Sequence, residues 1–483
     1  MRLEMEKMPL YEALRAYINQ NTIHFDVPGH KRYPKENILK EFMEHSMLDL
    51  DVSSAKPIDS IGNPKGPIKD ASQLMARAFF SDTAFFMVNG TTSGVQNMIT
   101  ASVEPRDKII LPRNIHKSAM NALILSGAEP IYMEPVIDEA LGVSHGVTME
   151  TVKNTIYHNK DAKSILIINP TYYGAASDLE EITRVAHDNE MTVLCDEAHG
   201  GHFYFNKNLP IGGMEIGADM SAVSLHKTCG SLTQSSVLLC HKKYLDISKV
   251  KKMVDLTQTT SPSYLLLSSL DVARYLLEEK GEELLEEALQ LANYGRQKIN
   301  EIGGYYVIGK EVVGRPGFFD LDETKLSIHV SSIGLTGIEV YDILRDEYNI
   351  QVEIGEVHTI MAIVSIGDKK EWIDALVFAL KDIKERFATN KKIKSAFLFS
   401  RPQMVVSPRE AFYANKKTIP LKDSVGEISG ESVMAYPPGI PIVAPGEKIT
   451  MEILNHIEFL KNQDCILTGL EDPRIEYIYI LGN

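Results

Sequence analysis

The segments TVLCDEAH (192–199) and MSAVSLHK (220–227) decide how this chain folds. Each opens on a mostly apolar run and closes on a group that can do chemistry, Asp196 or Lys227. A short run apolar on both faces marks a strand of a parallel sheet with helices on both sides. Five more runs accompany these two, at 84–88, 108–111, 130–133, 164–168 and 236–240. Stretches of helical period lie between most of them. Leu179, Ile182, Val185 and Ala186, for example, recur inside 178–189 at the spacing of one helix face. Strand and helix in alternation indicate an α/β domain with a mostly parallel sheet. The runs at 220–223 and 236–240 have too little helical sequence between them for a crossover, so the last strand is expected to be antiparallel.

Outward from the sheet, residues 1–70 read as an arm with two helices and a Pro/Gly-rich stretch at 57–67. A Leu/Glu/Lys-rich helical pattern at 264–301 leads to a second domain, where 326–330 and 362–366 read as strands. A polar stretch at 388–394 suggests a further boundary. The expected division is an arm (1–70), a large domain (71–300), a small α+β domain (301–390) and a C-terminal domain (391–483). The last carries the rigid turn Tyr436-Pro437-Pro438-Gly439-Ile440-Pro441.

With 483 residues, 44 % apolar and 24 % charged, the chain can build more than one core. That balance excludes collagen-like, disulfide-scaffold and mainly disordered classes. Sixty-five Asp+Glu against 50 Lys+Arg give a formal charge of −15, which disfavours nucleic acid as a partner. Cys195, Cys229, Cys240 and Cys465 form no CxxC pair, which fits a reducing compartment. The first twenty residues mix Glu4, Glu6, Lys7, Glu12 and Arg15 with Leu10, Leu14 and Ile18, an amphipathic helix rather than a secretory signal. No apolar run approaches the roughly 18 residues that a membrane span needs. A cytoplasmic protein is expected, with a small molecule as its partner and neither nucleic acid nor membrane.

Ligands of open α/β sheets gather at the carboxyl ends of the strands. After the run 84–88 comes Asn89-Gly90-Thr91-Thr92-Ser93-Gly94 and then a helix. Such a helix start suits a phosphate, and it serves equally as a plain N-cap. The letters DEAH at 196–199 invite a helicase reading, but the GxxxxGK[ST] loop it requires is missing. What remains is a strand-end carboxylate followed by His199. His199 and His202 have a metal-compatible spacing but no evident third ligand. Lys227, straight after a strand and among Ser224, His226 and Thr228, is either a surface lysine or an amine for a Schiff base with pyridoxal phosphate. That cofactor needs all three features: a helix start for its phosphate, a carboxylate for its pyridine nitrogen and an amine for its aldehyde. All three occur, in that order, on one sheet.

The sequence thus resembles the fold-type-I pyridoxal-phosphate enzymes, and most closely the Orn/Lys/Arg decarboxylase family in its short, biosynthetic bacterial form. The matching pieces are Pro28-Gly29-His30-Lys31, Asn89-Gly90-Thr91-Thr92-Ser93, Arg113-Asn114-Ile115-His116-Lys117-Ser118, Asp196-Glu197-Ala198-His199, Ser224-Leu225-His226-Lys227, Thr259-Thr260-Ser261-Pro262 and the turn 436–441. The resemblance implies a large domain with a mostly parallel seven-stranded sheet and smaller α+β domains after it. It also implies decarboxylation of a basic amino acid, arginine ahead of lysine and ornithine, in polyamine biosynthesis.

Residue by residue, it implies that Lys227 carries the cofactor aldehyde and that Asp196, ionised, keeps the pyridine nitrogen protonated. His116 would stack on the ring and Ala198 would lie against it. Thr91, Thr92, Ser93, Ser224 and His226 would hold the phosphate or its surroundings. His199 would line the pocket where the acid-stress members have a tryptophan. Family dimers build each site from both chains, and Thr260 is the candidate contact to a partner's phosphate, against a plain polar loop. Glu353, within Val352-Glu353-Ile354-Gly355-Glu356, is the candidate acceptor for the distal cation of the substrate, against a solvated strand-edge glutamate. The chain begins close to the motif at 28–31, without room for the N-terminal wing of the acid-stress members. A homodimer is expected, with a higher oligomer left open. Two other readings compete: another fold-type-I reaction (aminotransferase or aldolase) and a catalytically inactive binding protein. The family-wide match disfavours the first, and intact Lys227 and Asp196 disfavour the second.

Overall fold

A computed structural model describes residues 7–20, 26–28, 30–31, 43, 45–139, 141–393, 402–435, 440–463 and 465–482. Gly29 and residues 436–439, both part of the motifs above, lie outside the described residues. The chain forms two compact units, Met1–Ala101 with Leu194–Glu286, and Ser102–Val193 with Glu287–Asn483.

Seven strands form the main mixed sheet: β1 (Thr83–Met87), β2 (Lys108–Pro112), β3 (Glu129–Met133), β4 (Ser164–Ile168), β5 (Thr192–Glu197), β6 (Met220–Val223) and β7 (Ser236–Cys240), in the order β1-β7-β6-β5-β4-β2-β3. All seven overlap the apolar runs of the sequence, with ends that differ by at most two residues. In the first unit β5 and β6 run parallel, with Asp196 opposite Ala222. β7 is antiparallel to both β6 and β1, as its short connection to β6 requires. In the second unit β2 runs parallel to β3 and β4.

The helix Gly90–Ser102 follows β1 and packs closely on the sheet. A Cβ at Gly94 would stand 3.0 Å from the Ala222 Cβ, so even an alanine there would need helix or strand beside Asp196 to give by a few tenths of an ångström. The arm helix Pro9–Ile18 is capped from a distance, since the Asp271 carboxylate accepts the N–H groups of Leu10 and Tyr11 at 3.0 and 3.3 Å. Asp271 pairs in turn with the fully buried Arg274.

The second unit also contains an antiparallel sheet of Tyr306–Val307, Lys325–His329, Thr359–Ile363 and Ile354–Gly355. Leu326, Ile328 and Ile360 of this sheet share a core with Val340, Leu344, Ile373 and Leu380 of two helices. The strand expected at 362–366 is displaced toward the N-terminus and ends at Ile363. The Val364 N–H still reaches the Thr324 carbonyl at 2.9 Å, and the chain then turns, the Asp368 carboxylate accepting the Ser365 N–H at 2.7 Å. Past the helix Lys370–Phe387 a further core gathers Val433, Val443, Ile453, Ile457 and Ile480. Among the described residues no helix is long and apolar enough to cross a membrane.

Candidate active site

The first unit brings together most of the residues singled out in the sequence. Gly90 adopts φ +69°, a left-handed conformation that suits glycine, and its N–H is held by the Gln234 carbonyl at 2.8 Å. The chain thereby turns from β1 into the helix, whose first-turn N–H groups have no intrahelical acceptor. Thr91 and Ser93 are buried in that turn and Thr92 is partly exposed. The Thr91 hydroxyl bonds to the Ser224 hydroxyl, and Ser93 Oγ donates to the Gly90 carbonyl at 2.9 Å. Helix start and strand-end serine therefore form one hydroxyl cluster.

Asp196 lies near the end of β5 and is 6 % exposed. Among the described residues the Ala198 N–H, at 3.2 Å, is its one hydrogen-bond donor. Burial pushes its carboxyl above the usual aspartate range, while the Ala198 N–H and the Lys227 charge pull it back. The sequence led to an ionised Asp196 and did not anticipate that burial opposes that charge. Lys227 sits in the single helical turn Leu225–Thr228 after β6. Its Nζ donates to His199 Nε2 at 2.9 Å, a contact that gives His199 a definite place beside the amine. Ala198 is partly buried in the turn before it. His226 Nδ1 is bonded to the Ser235 carbonyl at 2.9 Å, and burial lowers its pKa. Among the described residues no group of three His, Cys, Asp or Glu is placed to hold a metal.

Thr260 also belongs to the first unit. Thr257 Oγ1 donates to Asn97 at 2.9 Å and Gln258 Nε2 to the Phe86 carbonyl at 3.1 Å. These bonds fix the approach to the TTSP segment and leave Thr259, Thr260 and Ser261 exposed.

In the second unit, His116 caps the helix Lys117–Ser126, its Nδ1 accepting the Ser118 N–H at 3.2 Å. An accepting Nδ1 puts the proton of the neutral ring on Nε2. Glu353 is exposed and accepts from the Tyr172 hydroxyl at 2.7 Å. Its neighbour Glu356 accepts from the Tyr173 hydroxyl, and burial raises the Glu356 carboxyl to about 7. Tyr172 and Tyr173 belong to the segment after β4.

Residues 8–372 match the family model of the Orn/Lys/Arg decarboxylase major domain, and 390–473 match that of its C-terminal domain. The chain belongs to the Orn/Lys/Arg decarboxylase family. It is 42 % identical to an arginine decarboxylase of Bacillus subtilis over 99 % of both chains. To one of Bacillus anthracis it is 41 % identical, over 99 % of this chain and 98 % of that one. The solved structure of lysine decarboxylase A from Pseudomonas aeruginosa superposes with a TM-score of 0.86, covering 100 % of this chain and 81 % of that one at 21 % identity. The fold is accordingly fold type I, and the protein is a pyridoxal-phosphate enzyme that decarboxylates a basic amino acid.

The first unit's donor set fits that cofactor. A buried carboxylate that accepts the Ala198 N–H on Oδ1 can also accept from a protonated pyridine nitrogen. An exposed lysine amine is available to an aldehyde, and a helix start with Thr91 and Ser224 is available to a phosphate.

Sequence reading passed over Glu197, the second letter of the DEAH motif. It is fully buried and accepts from the Gly213 N–H at 2.9 Å and from the hydroxyls of Ser221 and Tyr204. Glu197 thus ties the end of β5 to β6 and to the loop that follows His199. Alternation along the strand, which sends neighbours Asp196 and Glu197 to opposite faces, was the available signal.

Proposed function

We propose that this decarboxylase acts on arginine, releasing carbon dioxide and agmatine, as a cytoplasmic homodimer serving polyamine biosynthesis. The full-length likeness to two arginine decarboxylases carries the choice of arginine. Pyridoxal phosphate, when bound, supplies the electron sink for the pair left by departing carbon dioxide. Asp196 holds a proton at the pyridine nitrogen, an opposite charge in a buried setting. Lys227 supplies the amine for the aldehyde, and His199 Nε2 steadies that amine and offers a place for its proton. Thr91, Thr92, Ser93, Ser224 and His226 are assigned to the phosphate and its surroundings, and Ala198 to the ring.

His116 is assigned to stacking on the ring from its place in the family motif, and its capping bond fixes the imidazole. Glu353 is assigned to the guanidinium, a group that must keep a charged acceptor when it leaves water. The Tyr172 hydroxyl supports this by restraining an otherwise mobile exposed side chain. Thr260 is assigned to the phosphate of a partner subunit, supported by an exposed position on an anchored segment.

Steady-state kinetics on arginine, lysine and ornithine test the reading. Arginine is expected to lead in kcat/KM by at least about tenfold, ~1.4 kcal/mol. A lead for lysine or ornithine overturns the substrate. Lys227→Ala is the control, expected to fold normally by circular dichroism and to release no carbon dioxide; retained turnover would refute the assigned amine.

A further inference from the structure

The C-terminal part of the chain reaches the loop that carries His116. Arg113, at the carboxyl end of β2 and three residues before His116, is 3 % exposed, and Glu447 is fully buried. Their side chains meet as a two-pronged pair, Nη1 to Oε1 at 2.6 Å and Nη2 to Oε2 at 2.9 Å. Nη2 also donates to the Ile442 carbonyl at 3.4 Å, and the guanidinium lies 4.7 Å from the centre of the Tyr132 ring.

Local geometry aims Glu447 at this spot. Gly446 adopts φ +89°, and a Cβ there would stand 2.2 Å from the Val406 carbonyl oxygen. Position 446 therefore demands glycine, and the turn it permits lets the Ala444 N–H donate to Glu447 Oε2 at 2.7 Å. The remainder of the loop is held from other sides. Asn114 Nδ2 donates to Ser144 Oγ and the His145 carbonyl, both at 3.2 Å, while His116 is bonded to Ser118. Every polar side chain from Arg113 to His116 is thus fixed, and the charged anchor comes from the C-terminal domain.

We propose that Glu447 is a positioning residue for the loop that carries His116, so that the C-terminal domain governs how firmly His116 holds the cofactor. This rests on the assignment of His116 to the ring made above. A buried, forked pair is well suited to the task. Two parallel bonds fix the orientation of the loop as well as its position, and a guanidinium left without its carboxylate would have to draw in water or move.

The test is a double-mutant cycle on the dimeric enzyme: Glu447→Gln, His116→Ala and the two combined. Cofactor affinity is read by titrating apoprotein while following visible absorbance, alongside kcat, KM and thermal stability. Glu447→Gln is expected to weaken cofactor binding about tenfold, ~1.4 kcal/mol, and to lower kcat, with KM for arginine unchanged. The combined variant should be no worse than His116→Ala alone. Should Glu447→Gln fail to fold, Arg113→Lys, which keeps the charge and gives up the fork, takes its place in the same cycle. Wild-type cofactor affinity in His116→Ala would overturn the His116 assignment and this proposal with it. An impaired His116→Ala beside a normal Glu447→Gln (or Arg113→Lys), or losses that multiply in the double variant, would overturn this proposal alone. Lowered thermal stability with unchanged cofactor affinity counts as the same refutation.

Discussion

Replacing Asp196 by Asn keeps the shape of the side chain and removes its charge. An opposite charge in contact moves a neighbouring titratable group by about 1–3 pKa units, and the 6 % exposure of Asp196 puts it at the upper end. About three units correspond to ~4 kcal/mol. Asp196→Asn should therefore lower kcat on the order of a thousandfold while the Lys227 amine still binds cofactor. The apoprotein should respond in the opposite direction. Burial raises the folded-state pKa of Asp196, so the folded apoprotein retains a proton that the unfolded chain releases at lower pH. Its stability falls as pH rises from the ordinary aspartate range through the raised value. The Asn variant escapes this loss, so its apoprotein should melt higher than wild type near neutrality, and the gap should close in acid. Carbon dioxide release and melting curves from acid to neutral pH measure the two effects. A variant that holds cofactor and loses less than about tenfold in kcat would refute the role assigned to the charge. An apoprotein with no gain in melting temperature would refute the burial penalty.

Glu353→Gln should raise KM for arginine by roughly tenfold to a hundredfold with cofactor affinity unchanged, since charge-assisted bonds are worth about 1.5–3 kcal/mol; an unmoved KM would exclude Glu353 from substrate recognition. Glu356, its carboxyl raised to about 7, should make stability decline as pH rises from its ordinary 4.5 toward 7, and Glu356→Gln should flatten that slope in urea titrations. The same slope in both proteins would assign it to other groups. If Thr260 completes a partner's phosphate site, activity should fall on dilution and sedimentation should show dissociation over the same range. A fully active monomer would contradict that.

The placement of the candidate site's groups on the sheet was largely legible in the sequence because sheet chemistry is local. Each strand of the main sheet is a short apolar run, and Asp196 and Lys227 follow their runs within a residue or a few, so naming the strands also located the strand-end groups. The reversal of β7 was legible for a similar reason, since too little sequence separates it from β6 for a helix to cross the sheet. The strand expected at 362–366 was misplaced because the chain turns after Val364, where the Asp368 side chain bonds to the Ser365 backbone, which hydropathy does not register.

Other contacts depend on residues far apart in the chain. Lys227 and His199 are 28 positions apart and meet because β5 and β6 are neighbours in the sheet. Glu197 is an ordinary acidic letter in the sequence and becomes a buried junction once Tyr204, Gly213 and Ser221 converge on it. Arg113 finds Glu447 across 334 positions. Whether a charged residue is solvated or sealed in a pair depends on which chain segment covers it. Hydrophobic period and turn chemistry are short-ranged, so the sequence alone determined the elements and the chemical groups at their ends. Only packing, which depends on the whole chain at once, decided which of those groups lost water and which partners replaced it.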